Sequence, residues 1–248
     1  MLLKDKVGVV TGGGSGMGRA AALAMAREGA TVVLAGRTAE KLHAVRKEIE
    51  STGGNAFPVP VDLGKREEVK RLIGAVETRF GRLDLAFNNA GGHADMKPID
   101  QTTEEESEWV IDLNLKAVYY GVKYQVELML KGGGGRIVNN ASIFGLKANP
   151  GIAHYTACKF GVIGLTRAVA LEYATRNIRV NAVCPGATET PNFLRATGGD
   201  AHAFDDFIPM RRIGKPDEVA EAVVWLMSDK ASYVTGSVLS VDGGMCGG

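Results

Sequence analysis

Short apolar runs alternate along the chain with longer stretches in which apolar residues recur every three or four positions. The short runs are rich in β-branched residues and end at Gly, Pro, Asp or Asn, which is typical of strands buried on both faces. They predict strands at 7–11, 31–35, 56–61, 83–88, 136–140, 178–183 and 237–241. The longer stretches predict amphipathic helices near 16–29, 38–51, 65–80, 104–130, 153–175 and 217–229.

Strand followed by helix, repeated along the chain, predicts an α/β fold in which a parallel sheet carries helices on both faces. Thr38 and Asp217 are predicted N-caps, and Thr103 followed by Glu106 has the spacing of a capping box. Ligands of such sheets bind at the carboxyl ends of the strands. Residues that directly follow a strand are therefore the first candidates for a functional site.

The composition is that of an ordinary globular protein, and no linker divides the chain, so we expect one domain over residues 1–248. The net charge is +1 and no run of Lys or Arg stands out, which argues against nucleic acid or a membrane as the main partner. No apolar run reaches the ~18 residues of a membrane span, and the N-terminus lacks a signal-peptide pattern. A cytoplasmic protein is expected.

Three cysteines, Cys158, Cys184 and Cys246, form no CxxC pair. An odd number without such a pair argues against a disulfide framework and fits a reducing compartment. No cluster of His, Cys and Asp has the spacing of metal ligands, so no metal is expected.

A glycine-rich turn follows the first predicted strand and opens the first predicted helix. It contains Gly12, Gly16 and Gly18, with Ser15 and Met17 between them. Glycine lets the backbone approach a pyrophosphate closely, and the helix N-terminus then offers free N–H groups to the phosphates. The lysine of a triphosphate-binding P-loop is absent, so the turn predicts dinucleotide binding and disfavours triphosphate hydrolysis.

The end of the second strand bears on which dinucleotide binds. An Asp or Glu there would accept a hydrogen bond from the ribose 2′-OH of NAD. Residues 34–38 instead read Leu-Ala-Gly-Arg-Thr, and Arg37 can pair with the 2′-phosphate of NADP through two hydrogen bonds. NADP(H) is therefore the expected cofactor, and NAD(H) remains the alternative.

Tyr155 and Lys159 lie four residues apart in a predicted helix, so their side chains share one face. A phenol has an ordinary pKa of about 10 and is a poor base at neutral pH unless a positive charge favours the phenolate. We expect the Lys159 ammonium to lower the pKa of Tyr155. Tyr155 would then take the proton of an alcohol, or return it to a carbonyl.

Two further polar residues bear on this chemistry. Ser142 comes just after the fifth predicted strand, where its hydroxyl would hold a substrate oxygen near Tyr155. Asn114 lies in the middle of a predicted helix, where Asn costs stability relative to Ala. It is either a solvated polar position or the holder of a water against Lys159 that links the site to solvent.

Together these segments resemble the short-chain dehydrogenase/reductase family over essentially the whole chain. The matching segments are 11–18 (TGxxxGxG), 88–91 (NNAG), Asn114, Ser142, 155–159 (YxxxK), 178–183 with Pro185 and Gly186, and 241–244. The resemblance implies a three-layer, doubly wound Rossmann fold with seven parallel strands in the order 3-2-1-4-5-6-7. It also implies NAD(P)(H)-dependent hydride transfer between a carbonyl and an alcohol.

The resemblance also implies roles for single residues. Tyr155 would be the acid/base, Lys159 would lower its pKa and bind the nicotinamide ribose, Ser142 would orient the substrate, and Asn114 would complete the catalytic set. Other cofactor contacts would come from Asp62, Leu63, Asn89, Ala90 and Gly91 on the adenosine side, and from Pro185, Gly186, Thr188 and Thr190 over the nicotinamide. Many members form homotetramers, so a homotetramer is expected.

The region 191–215 is expected to cover the substrate as a mobile, partly apolar lid, with Gly198 and Gly199 as its hinge. Phe144 and Phe193, together with Ser142 and Tyr155 from the catalytic set, are the predicted substrate contacts. They predict a medium-sized, fairly apolar small-molecule carbonyl compound or alcohol as the substrate.

Two alternatives stay open. A 3-oxoacyl-(acyl carrier protein) reductase would need a basic patch near the pocket, for which Arg211, Arg212 and Lys215 are candidates. A catalytically silent dinucleotide-binding sensor would bind the dinucleotide without turnover. Such proteins typically lose the Tyr or the Lys, whereas this chain has Tyr155 and Lys159.

Overall fold

The computed structural model describes residues 1–247, in which the chain forms seven β-strands and eight α-helices. The strands are β1 Val7–Thr11, β2 Thr31–Gly36, β3 Asn55–Pro60, β4 Leu85–Asn88, β5 Gly135–Asn140, β6 Ile178–Pro185 and β7 Val238–Val241. The helices are α1 Gly16–Arg27, α2 Ala39–Ser51, α3 Arg66–Phe80, α4 Glu104–Ile111, α5 Ala117–Lys131, α6 Ala153–Tyr173, α7 Pro191–Ala196 and α8 Pro216–Met227. The predicted domain ends at Gly248, which lies outside the described residues. No helix within residues 1–247 is long and apolar enough to cross a membrane.

One sheet contains all seven strands in the order β3-β2-β1-β4-β5-β6-β7, and every neighbouring pair is parallel. The predicted Rossmann fold and strand order are confirmed. The direction of winding reverses between β1 and β4, so their carboxyl ends form the switch point at which doubly wound sheets bind ligands. Val10 pairs with Phe87 in this register, which brings the segments after both strands side by side.

The two faces of the sheet build separate hydrophobic cores. Val9 packs into one core with α3, α5 and α6, and the next residue, Val10, packs into the other with α1, α2 and α8. Both valines are fully buried. Because successive side chains of a strand point to opposite faces, burial on both faces requires continuous apolar runs rather than alternation.

The structure confirms the predicted helix N-caps in part. Thr103 and Glu106 form the capping box: the Thr103 Oγ1 accepts from the Glu106 N–H at 3.2 Å, and the Glu106 carboxylate accepts from the Thr103 N–H at 3.1 Å. Thr38 is the N-cap of α2, but its side chain makes no capping hydrogen bond. The prediction that Asp217 is an N-cap was wrong. Lys215 is the N-cap of α8 because a proline, which needs no N–H acceptor, takes the first helical position.

The helix predicted over 104–130 is two helices joined by a π-helical turn at Asp112–Lys116. Such wide turns are rare and are frequent at functional sites. The buried residue of this turn is Asn114. A single wide turn shifts the apolar pattern by only one residue, so the periodicity of the sequence did not reveal it.

A buried polar network fixes α5 and α6 against the sheet. The Asn88 amide donates to Gln125 Oε1 at 3.0 Å and to Asn139 Oδ1 at 2.9 Å, and Gln125 donates back to Asn88 at 2.7 Å. Asn139 donates in turn to the Thr166 hydroxyl at 2.9 Å. Because these buried groups satisfy one another, the network specifies where α6 lies on the sheet.

Candidate active site

The glycine-rich turn between β1 and α1 is shaped by close contacts. Gly12 has a φ of +67°, and a Cβ there would lie 2.8 Å from the Asn89 amide nitrogen. Gly16 has a φ of +52°, and its Cβ would come within 3.2 Å of the Thr190 side chain. A Cβ on Gly18 would overlap the Gly12 carbonyl. Backbone conformation and packing therefore require glycine at these positions.

A cleft of about 510 Å³ opens beside this turn. Most residues that the sequence predicts to bind the dinucleotide line it: Gly12, Ser15, Gly16, Met17, Arg37, Asp62, Leu63, Asn89, Ala90, Gly91 and Thr190. The remaining predicted cofactor residues do not line it: Gly18, Tyr155, Lys159, Pro185, Gly186 and Thr188. Of these, Gly18 is buried inside the turn, and Gly186 packs against Asp242 where β6 ends. Thr188 is buried, and its hydroxyl donates to the Gly186 carbonyl at 3.1 Å.

The cleft contains residues that the sequence interpretation missed. Lys41 lies four residues after Arg37, and Arg195 reaches the same cleft from α7. None of these three cations forms an ion pair within residues 1–247. Trp109 and Leu113, four residues apart, form an apolar wall. The only indication in the sequence was spacing: Lys41 lies four residues after Arg37, and Leu113 lies four residues after Trp109. Residues at this spacing in a helix share one face.

The cleft fits an anionic dinucleotide. Helix α1 begins at Gly16 with no side-chain cap and no acidic residue in its first turn, so its N–H groups and the positive end of its dipole are available to an anion. The unpaired side chains of Arg37, Lys41 and Arg195 add positive charge. The Asp62 carboxylate accepts from a main-chain N–H at 3.1 Å. No group of three or more His, Cys, Asp or Glu in the described part of the chain is placed to hold a metal ion.

Tyr155 and Lys159 meet on one face of α6, as their spacing predicts. The Lys159 Nζ lies 5.3 Å from the centre of the Tyr155 ring, and this buried amine donates to the Asn140 carbonyl at 2.8 Å. Ser142 is buried just after β5, and its Oγ accepts from the Phe144 N–H at 3.1 Å. The carboxyl end of β5 and the start of α6 thus bring these side chains together.

Burial sets the proton affinities of this pair. Burial raises the pKa of Tyr155 to about 12, and a hydrogen bond with the Ser142 hydroxyl opposes the rise. Burial also lowers the pKa of Lys159 to about 8. Burial is the largest influence on the pKa of Tyr155, so the expected lowering of that pKa by the Lys159 ammonium stays a prediction. Tyr155 is a neutral phenol at neutral pH, which is the form that donates a proton.

Asn114 is fully buried, so the interpretation of this residue as a solvated polar position is wrong. Its Oδ1 accepts from the Gly92 N–H at 3.1 Å, and its amide donates to the carbonyls of Gly92 at 2.7 Å and Val110 at 2.9 Å. A Cβ on Gly91 would lie 2.7 Å from the Asn114 Oδ1 and 3.6 Å from the Lys159 Nζ. Asn114 therefore fixes the wall between the cleft and Lys159, and its water relay stays a prediction.

His93 connects the cleft with Tyr155. It lines the cleft, and its ring centre lies 6.1 Å from that of Tyr155 in an edge-on arrangement. Its Nδ1 lies 2.8 Å from the Ala94 carbonyl oxygen. One end of the cleft is therefore next to the phenol.

The region 191–215 begins with the short helix α7. The Thr190 hydroxyl caps it by accepting from the Phe193 N–H at 3.2 Å. Phe193 lies outside the cleft and packs 5.7 Å from Phe204, measured between ring centres. The predicted hinge, Gly198–Gly199, has φ values of +64° and +95°, a conformation in which glycine lets the chain turn back.

The chain matches known proteins over nearly its full length. Residues 12–246 match the family model described as enoyl-(acyl carrier protein) reductase. The chain is 41% identical over 245 residues to the 3-oxoacyl-(acyl-carrier-protein) reductase of Thermotoga maritima, covering 99% of both. It is 42% identical over 242 residues to the cyclohexanol dehydrogenase of an Acinetobacter species, covering 96% of this chain and 94% of that protein. A structure from Beutenbergia cavernae is described as an NAD(P) dependent gluconate 5-dehydrogenase with NADP bound at low occupancy. Its sequence is 38% identical to this chain, and the two superpose with a TM-score of 0.94 over 99% of this chain and 98% of that chain.

Replacing Lys159 with Met should stabilise the protein at pH 7. The pKa of Lys159 is about 8 in the folded chain and ordinarily 10.5. The buried ammonium therefore destabilises the fold fully below about pH 8, and this penalty disappears as the pH rises through 10.5. In urea unfolding, the variant should exceed wild type by about 1–3 kcal/mol at pH 7 and converge with it by about pH 10.5.

The exposed Lys47 supplies the control, since Lys47→Met should show no such pH-dependent difference. A Lys159→Met protein that is less stable than wild type at pH 7 would contradict the prediction.

Proposed function

The chain belongs to the short-chain dehydrogenase/reductase family, and from that premise we propose that Asn114, Ser142, Tyr155 and Lys159 are its catalytic residues. It is an NAD(P)(H)-dependent oxidoreductase that transfers a hydride between the nicotinamide cofactor and a carbonyl or alcohol substrate. One observation carries the residue roles: Tyr155, Lys159 and Ser142 meet at the end of a cleft that fits the dinucleotide.

The chain's own residues handle the proton. When bound, the nicotinamide supplies or accepts the hydride. In reduction, Tyr155 donates its phenolic proton to the substrate oxygen, and the Ser142 hydroxyl holds that oxygen in place. The Lys159 ammonium, 5.3 Å from the ring centre, stabilises the negative charge that remains on Tyr155. Asn114 completes the set by holding the wall beside Lys159.

The cofactor contacts follow the cleft. The turn from Gly12 to Gly18, with Ser15, Gly16 and Met17, would hold the phosphates. The adenosine side would contact Asp62, Leu63, Asn89, Ala90 and Gly91. The nicotinamide side would contact Tyr155, Lys159, Pro185, Gly186, Thr188 and Thr190. Three observations support this arrangement: the cleft, the free N-terminus of α1, and the contact between Gly16 and Thr190.

NADP(H) is the proposed preference, with NAD(H) binding more weakly. Arg37 lines the cleft at the end of β2, where no acid is present, and Lys41 lies one turn further on. The Thr38 hydroxyl caps no backbone group, which leaves it and the start of α2 available to a 2′-phosphate. Two cations and an uncapped helix start favour a third phosphate over a neutral ribose hydroxyl.

The proposed substrate is a medium-sized, fairly apolar ketone or secondary alcohol. Phe144 lies two residues after Ser142 in the segment that follows β5. Phe193 and Phe204 form an apolar cluster in the region 191–215, which is proposed to cover the substrate. The cyclohexanol dehydrogenase relative makes cyclohexanol and cyclohexanone suitable first probes.

The Thermotoga maritima relative favours a second candidate, a 3-oxoacyl-(acyl-carrier-protein) reductase. Two of the three residues of the expected basic patch, Arg211, Arg212 and Lys215, do not support it. Arg211 is paired with Asp206 at 3.0 Å, and Arg212 forms two hydrogen bonds with Glu218 at 2.8 and 2.6 Å. Carboxylates neutralise both arginines, so they attract an acidic carrier protein only weakly.

A cytoplasmic location is the proposed compartment. The three cysteines are unpaired in the structure, and Cys158 and Cys184 are buried, which fits a reducing environment. Fractionation of cells would test this.

Removing the phenolic hydroxyl should strongly reduce turnover and spare cofactor binding. We expect Tyr155→Phe to lower kcat for cyclohexanone reduction by roughly 10²–10⁴-fold, because a positioned proton donor contributes about that much. The Kd for NADPH, followed by nicotinamide fluorescence, should change less than about threefold. Tyr233 is fully exposed, so Tyr233→Phe serves as the control. Unchanged turnover in Tyr155→Phe would refute the role.

Arg37 should discriminate between the two dinucleotides. Arg37→Gln should raise the Kd for NADPH about tenfold or more, since a hydrogen-bonded charge pair is lost, and leave the Kd for NADH nearly unchanged. Lys41→Gln should act in the same direction with a smaller effect. Tighter binding of NADH than NADPH by the wild-type protein would overturn the proposed preference.

A homotetramer is the proposed assembly. Apolar side chains are exposed on the adjacent helices α5 and α6, where Tyr119 is 52%, Phe160 46% and Leu171 83% exposed. Light scattering at micromolar concentration should give about four times the chain mass of 26.2 kDa, and Leu171→Arg should lower that value. A single-chain mass for the wild-type protein would contradict the proposal.

A further inference from the structure

Helix α7 presents two different faces. The residues that line the cofactor cleft are Thr190, Pro191, Asn192, Arg195 and Ala196. The cleft face is therefore polar and carries one positive charge. Phe193 lies on the other side and packs against Phe204, which in turn lies 6.3 Å from Phe207, measured between ring centres. One short helix thus joins the cofactor cleft to the apolar cluster.

The base of α7 rests on the glycine-rich turn. A Cβ on Gly16 would lie 3.2 Å from Thr190 and 3.7 Å from Pro191, so the two segments leave little room for a side chain between them. Gly16 is also the first residue of α1, whose free N-terminus fits the diphosphate. Arg195 follows Pro191 by four residues, on the same helix face and about 6 Å further along.

The Arg195 side chain is oriented but has no charged partner. Its Nη2 donates to the Asn192 Oδ1 at 2.8 Å, and it forms no ion pair within residues 1–247. A guanidinium has five N–H donors, so most remain available, as does the Asn192 amide group. A guanidinium already fixed by its neighbour loses little freedom when it binds an anion.

We propose that Arg195, oriented by Asn192, binds the bridging diphosphate of the dinucleotide from the lid side. The diphosphate then lies between two helix elements, α1 below and α7 above. Arg195 would then link α7 to the bound dinucleotide, so loss of this contact should speed its release. Because NAD and NADP share the bridging diphosphate, Arg195 contributes equally to both, unlike Arg37. This inference rests on the proposed dinucleotide binding.

Binding and release of NADPH and NADH by the full-length protein test the inference. Nicotinamide fluorescence gives the Kd values, and stopped-flow displacement gives the release rates. Arg195→Gln should raise both Kd values by the same factor, about tenfold, chiefly through faster release. Arg195→Lys should fall between that variant and wild type, and Asn192→Ala should shift both dinucleotides less. The control is Arg176→Gln, because Arg176 is exposed and lies outside the cleft.

Every other outcome overturns either the role of Arg195 or the proposed function. Unchanged Kd values and release rates for both dinucleotides in Arg195→Gln overturn the inference and leave the proposed function intact. A loss confined to NADPH also overturns it, because Arg195 would then bind the 2′-phosphate. A wild-type protein that binds neither dinucleotide overturns the proposed function itself, and this result is obtained before any variant is made.

Discussion

A chain of hydrogen bonds across the carboxyl ends of three adjacent strands joins the glycine-rich turn beside the cleft to Lys159, the proposed catalytic lysine. At the end of β1, the Thr11 hydroxyl accepts from the main-chain N–H groups of Asn89 and Ala90 at 2.8 and 3.0 Å. The Asn140 amide at the end of β5 donates to the Asn89 side chain at 3.0 Å, and the Asn140 carbonyl accepts from Lys159 at 2.8 Å. The glycine-rich turn and Lys159 are therefore positioned by the same strand ends.

This arrangement places polar groups where burial is costly. The Lys159 amine is buried with one protein acceptor, and burial lowers its pKa to about 8. The Asn140 Oδ1 is also buried, without a hydrogen-bond partner in the described residues. Such groups persist only where the surrounding structure fixes them. Beneath them, the satisfied network from Asn88 to Thr166 and the two apolar cores hold β5 and α6 in place.

Charge is distributed unevenly around the molecule in a way that favours a small anionic ligand. At the rim, Arg211 and Arg212 are neutralised by neighbouring carboxylates. Inside the cleft, Arg37, Lys41 and Arg195 form no ion pair within residues 1–247. Positive charge that is left unpaired in a concave site attracts a phosphate ligand more effectively than the same charge on an open surface. Unpaired positive charge is therefore available to a phosphate ligand in the cleft, whereas the charge of Arg211 and Arg212 is neutralised.

The sequence by itself determined the fold and much of the candidate site, because these depend on local rules. Continuous apolar runs define strands buried on both faces, and four-residue spacing in a helix puts Tyr155 and Lys159 on one face. Tertiary structure decided what depends on contacts between distant segments. Asn114 is buried because it bonds Gly92, 22 residues away, and the pKa directions follow from burial that no local pattern records. Arg195 lines the same cleft as the glycine-rich turn only because the parallel sheet brings the carboxyl ends of β1 and β6 to one edge. Local periodicity fixes which way a side chain points, whereas hydration and distant neighbours are set only once the sheet has assembled.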